Sequence, residues 1–136
     1  MLQCGLMDWG CVSQMNLGMA IWGAMSAAET DLWNEHLDDL LGVFVDEVHR
    51  CGGPKLDGDE LRRQTTMYAA MMGITWLLDV PALIRSRFGT AEDLTRFDSR
   101  IRDDESVRAP LQMMTNFLNL WERQRVGDVF ESLLGD

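Results

Sequence analysis

Trp33, Leu37, Leu40, Leu41, Phe44 and Val48 recur at the three- and four-residue spacing of a single helical face. Asn34, Glu35, Asp38, Asp39, Asp46 and Glu47 occupy the opposite face. A strand alternates its faces every second residue and cannot sort these residues in this way. Upstream, Ser26-Ala27-Ala28-Glu29 has the S-x-x-E form of a capping box, whose side chains satisfy the free N–H groups at a helix start. Downstream, Gly52-Gly53-Pro54 ends the helix by backbone freedom and loss of a donor. The spacing predicts a long helix reaching about His49, whose apolar stripe needs other helices to cover it.

The rest of the chain offers the same kind of signal. From Asn16 onward, Leu17, Met19, Ala20, Ile21, Trp22, Ala24 and Met25 form a segment that is apolar nearly all round. A helix of that type is expected to be buried, with Gly18 and Gly23 either weakening it or letting a neighbour approach. Asp57 and Glu60 mark another start, for a helix through Leu61, Tyr68, Met72, Trp76 and Leu77 to about Leu78. Asp79 is placed to cap a short helix with Pro81 in its first turn and Gly89 at its end. Residues 90–104 read as a short helix and a loop carrying Phe97 and Ile101. A last long helix is predicted from Ser106 to about Val126, and Gly127 separates it from a short tail helix through Val129, Phe130, Leu133 and Leu134.

With 136 residues the chain is expected to form one domain. It reads as an all-α bundle of about four long and two or three short helices. Met1–Met7 supplies at most one vestigial N-terminal strand. Trp22, Trp33, Leu37, Leu41, Phe44, Tyr68, Trp76, Leu111, Phe117 and Trp121 are the expected core. The ten methionines sit mostly in apolar stripes, where they are expected to fill core, although Met also suits adaptable binding surfaces.

Charge narrows the function. Twenty-two acidic against twelve basic residues leave a net charge of −10, which disfavours nucleic acid and anionic membrane surfaces as partners. No uninterrupted apolar run reaches the roughly 18 residues of a membrane span, and the N-terminus lacks the features of a signal peptide. Cys4, Cys11 and Cys51 are odd in number and lack the spacing of a disulfide framework or zinc site. A cytoplasmic location is therefore expected. His36 and His49 lie on one predicted helix, nearly 20 Å apart at about 1.5 Å per residue, too far to share a metal. Asp57, Asp59 and Glu60, and the run Asp103-Asp104-Glu105, read first as acids complementing helix N-termini. The alternative is a cleft that attracts a cationic substrate.

Leu6-Met7-Asp8-Trp9-Gly10, followed by Asn16-Leu17-Gly18-Met19-Ala20, resembles the aminoglycoside-phosphotransferase and choline-kinase-like family. There a strand ends in an Asp-Trp or Asp-Phe pair and a helix follows. The resemblance implies that Asp8 is a ligand for Mg²⁺ and that the remainder corresponds to the helical, substrate-side part of such an enzyme. Asn16 stands where that family has a second Asp. The His-Gly-Asp loop, its Asn metal ligand and the nucleotide-binding lobe have no counterpart here. Phosphoryl transfer needs those parts together, so the expected protein is not an enzyme by itself. It is expected to be a binding or self-association module, a homodimer or a receptor for a small amphipathic or cationic molecule. The alternative is one part of a split phosphotransferase completed by a separate nucleotide-binding lobe.

Overall fold

A computed structural model of the chain describes residues 15–90 and 92–134. Along them run α1 (Leu17–Met25), α2 (Thr30–Arg50), α3 (Gly58–Met72), a π-helical turn (Gly73–Leu77), α4 (Val80–Phe88), α5 (Ser99–Arg102), α6 (Glu105–Arg123) and α7 (Val126–Leu134). The fold is all-α, and no strand occurs among the described residues. The segment proposed for a vestigial strand lies outside them.

Local chemistry sets most of the boundaries. Asn16 caps α1, its side-chain oxygen accepting from the Gly18 N–H at 2.7 Å. Asp57 does the same for α3, accepting from Asp59 and Glu60 at 2.9 and 3.1 Å. Asp98 and Asp104 cap α5 and α6. Gly89, at φ 72°, closes α4 in the left-handed region that favours glycine.

α6 is the central element, meeting α2, α3, the π-turn, α4, α5 and α7. α1 lies across α3, the most extensive helix pair of the fold. Gly18 makes that crossing close: a Cβ there would sit 2.7 Å from the Gln64 carbonyl. Ile21, Trp22, Trp33, Leu37, Leu41, Leu61, Ala69, Leu77, Val80, Phe117 and Leu120 form one core cluster. The Trp22 and Trp33 rings meet at 5.6 Å, and the Trp33 indole N–H donates to the Met25 carbonyl. Phe44, Tyr68 and Leu111 are half-buried against this cluster.

Several boundaries differ from the sequence reading. Ser26 does not start α2. Its N–H closes α1 on the Trp22 carbonyl at 2.7 Å, and α2 begins after Glu29 with no side-chain cap. The turn is held instead by Asn116, whose amide donates to the carbonyls of Ser26 and Ala28. A tertiary partner replaces the local box. Asp79 likewise makes no side-chain cap bond. α3, the π-turn and α4 follow one another almost without interruption. α6 is broken from α7 at Arg125, which takes φ 47°, and not at Gly127.

Trp76 is the clearest departure: it is 70% exposed. A π-turn carries one more residue than an α-turn, so the residues within it are shifted around the helix. Trp76 leaves the face it would share with Tyr68 and Met72, and Leu77 is buried instead. Trp121 also sits at the core margin, at 36% exposure, edge-on to Phe117. α1 buries only Gly18, Ile21 and Trp22, leaving Met19, Ala20, Gly23 and Ala24 exposed. Among the described residues, an apolar circumference is thus covered on one side only.

Candidate functional site

The π-turn begins at a closely packed glycine, Gly73. The buried Phe117 ring presses against Gly73, where a Cβ would fall 2.1 Å from a ring carbon. Only a residue without a side chain lets the ring approach the backbone there. Thr75 donates its hydroxyl back to the Met71 carbonyl at 2.7 Å, satisfying an acceptor in the distorted turn. Such π-turns often lie at functional sites because they re-aim side chains that a regular helix would bury.

Beside this turn is an open hollow of about 470 Å³, lined by Asn16, Gln64, Met67, Tyr68, Met71, Ile74, Thr75 and Phe130. Ligand sites commonly span about 300–1,000 Å³, with apolar walls and a few polar groups. The walls here are the Met67 and Met71 thioethers, Ile74 and Phe130. Of the polar groups, Asn16 and Gln64 bond each other at 3.2 Å, and Gln64 also donates to Glu60. The Thr75 hydroxyl is engaged within its own helix. That leaves the Tyr68 hydroxyl as the polar group of the hollow without a hydrogen-bond partner among the described residues. Among the described residues, no carboxylate or base lines the hollow. Met71 and Ile74 of its wall are exposed, and Trp76 and Leu78, which follow in the chain, are exposed too. The sequence pattern carried one signal for this site: Met67, Met71, Met72 and Gly73 fall together in a predicted helix. Gly73 was the residue to question.

The residues singled out from sequence do not converge on it. Asp8, the Mg²⁺ candidate, lies outside the described residues, as do Cys4 and Cys11. His36 and His49 are both exposed on α2. Cys51 is exposed and free. Among the described residues no three His, Cys, Asp or Glu side chains come together as a metal site.

The acidic clusters work as caps and ion pairs. Asp57 caps α3, while Glu60 bonds Arg63 at 2.8 Å. Arg63, and then Gln64, hold the Glu60 carboxyl below its usual range. Asp104 caps α6 and accepts the Ser106 hydroxyl at 2.6 Å, which lowers its titration. Asp103 pairs with Arg102, and Glu105 with Arg108. Asp98 accepts both the Arg100 guanidinium and its backbone N–H, and its carboxyl is lowered to about 2. A separate hollow of about 560 Å³ gathers Arg96, Arg102 and Arg108, but Glu29 and Glu105 share its walls and offset their charge.

By length and composition alone, Gly58–Phe88 taken as one helix is long and apolar enough to cross a membrane, with a window of mean hydropathy 1.5. The same helix carries Ala69, Leu77 and Val80, which belong to the core. The class these features define is a small all-α protein with an open apolar hollow. Compared with family models, curated proteins and solved structures, the chain matches none of them.

Proposed function

We propose that this chain is a non-catalytic helical module that associates with itself and holds a small amphipathic molecule in the hollow beside the π-turn. The hollow carries the reading. It is ligand-sized, its walls are apolar, and Tyr68 offers one hydrogen-bonding group at its edge. A ligand with an uncharged apolar body and one polar end suits that lining better than a cation, for which the described residues place no carboxylate. Two methionines in the wall allow it to adapt to the shape of the guest. The proposed setting is the cytoplasm, with no nucleic-acid or membrane partner and no resident cofactor. The split-phosphotransferase alternative rests on the residues around Asp8 alone.

The test is a titration of the purified chain with Nile red, a neutral apolar dye. Saturable binding at one dye per chain is expected, with energy transfer from the protein's tryptophans. Ile74→Asp, at an exposed position, should weaken binding at least tenfold while the helical circular dichroism is unchanged. Tyr68→Phe should keep apolar dye binding. Absence of saturable uptake, or equal uptake by Ile74→Asp, overturns the proposal. Titration with Mg-ADP tests the alternative separately, through a signal lost in Asp8→Ala.

A further inference from the structure

The hollow beside the π-turn has a direction. Gln64, Met67, Tyr68, Met71, Ile74 and Thr75 line it. They lie on successive turns of α3 and the π-turn, three or four residues apart, so that they follow one side of a single helical stretch. Their order in the chain is therefore their order along the hollow. The rise from Gln64 to Ile74 is about 15 Å, at about 1.5 Å per residue.

The polar groups gather at one end. Asn16 donates to the Gln64 side-chain oxygen at 3.2 Å, and Gln64 donates to Glu60, one turn further back. Helical side chains lean toward the N-terminus, which inclines Tyr68 toward the Gln64 end. The Tyr68 hydroxyl has no hydrogen-bond partner among the described residues and is not sealed from solvent. At the other end Thr75 has spent its hydroxyl on the Met71 carbonyl. What that end presents is Met71 and Ile74, and Phe130 of α7 adds a ring to the walls. We propose that the guest is a single-chain alcohol, its hydroxyl at the Gln64–Tyr68 end and its alkyl chain laid along Met71 and Ile74.

Charge disfavours the other single-chain amphiphiles. Among the described residues no base lines the hollow to receive a carboxylate, and Glu60 stands behind Gln64. Glu60 is not free for an ammonium either, because both of its oxygens accept from Arg63 and one accepts from Gln64 as well. An uncharged head that both donates and accepts matches the Tyr68 hydroxyl, which does the same. Length follows from the groove. An extended alkyl chain with bonds of about 1.5 Å advances about 1.25 Å per bond, so about 15 Å takes about twelve carbons. The smaller hollow between α1 and α2, about 260 Å³, is lined by apolar residues only and offers such a head no side-chain partner.

This inference rests on the ligand reading above, and its test separates the two. On the intact chain at neutral pH, 1-dodecanol should displace bound Nile red at a concentration at least tenfold lower than dodecanoate or dodecyltrimethylammonium. Along a series of primary alcohols, affinity should rise up to about twelve carbons and level off beyond. Tyr68→Phe should lower the affinity for dodecanol at least threefold relative to that for Nile red, with the helical circular dichroism retained. Failure of Nile red itself to bind overturns the ligand reading and this inference with it. If Nile red binds, equal displacement by either charged amphiphile, or no relative loss in Tyr68→Phe, overturns the alcohol alone. A series that keeps rising well beyond the expected length overturns the placement of the chain.

Discussion

Asn116 is fully buried, and three of its hydrogen bonds go to the α1–α2 connection and the start of α2. Its amide donates to the Ser26 and Ala28 carbonyls, both at 2.8 Å, and its oxygen accepts from the Thr30 hydroxyl and the Gln112 amide. One side chain on α6 therefore organises a connection nearly ninety residues away. Asn116→Ala leaves carbonyls and a hydroxyl without this partner, and a buried polar group left unpaired costs about 1–3 kcal/mol. Urea unfolding should show a loss of about 3 kcal/mol, with α1 the first element to lose amide protection. Asp98 gives a residue-scale prediction in pH. Its folded carboxyl titrates at about 2, held there by Arg100, below the value near 3.9 of an unfolded Asp. Its contribution is complete above about pH 4 and is lost as pH falls toward 2. Carboxyl NMR titration should give that lowered midpoint, and Arg100→Ala should bring it back toward the ordinary value. A midpoint near 4 in the unaltered chain would falsify the pairing.

At the scale of elements, Gly73 and the π-turn decide what the longest helical stretch presents. A methyl at Gly73 meets the buried Phe117 ring, and overpacking of this kind costs about 1–3 kcal/mol. Gly42, in the middle of α2, has nothing within 4 Å of an added Cβ, and there an alanine gains about 0.5–1 kcal/mol of helix propensity. The two glycine-to-alanine changes should thus move the thermal midpoint in opposite directions, Gly73→Ala down and Gly42→Ala up. The same contrast marks what could be read from the pattern. The α2 period, the Asp57 cap and the Gly89 stop are local events within a few residues, and each was legible. The capping role assigned to Ser26 was not, because Asn116 supplies the turn from α6. The outward turn of Trp76 was not, because the π-turn that carries it packs through Gly73 against Phe117 of α6, far off in the chain.

On the scale of the whole molecule, half of the described acidic residues serve in caps and ion pairs, while among the described residues two apolar hollows stay open. Neither region was legible as a site. α1 is apolar all round in sequence, and a circumference of that kind does not say which side a neighbour covers. The methionines were expected to fill core, and only the tertiary structure sets Met67 and Met71 with Ile74 around a hollow. The binding and self-association proposals arise at this level, from apolar side chains left exposed among the described residues. The sequence by itself determined that the chain is helical and where most helices begin and end, because capping, periodicity and breaking are short-range hydrogen-bonding and steric events. Only the tertiary structure decided which apolar faces meet and which remain exposed. That choice depends on contacts between residues far apart in the chain, such as Gly18 with Gln64, Asn116 with Ser26, and Phe117 with Gly73, and no local pattern encodes them.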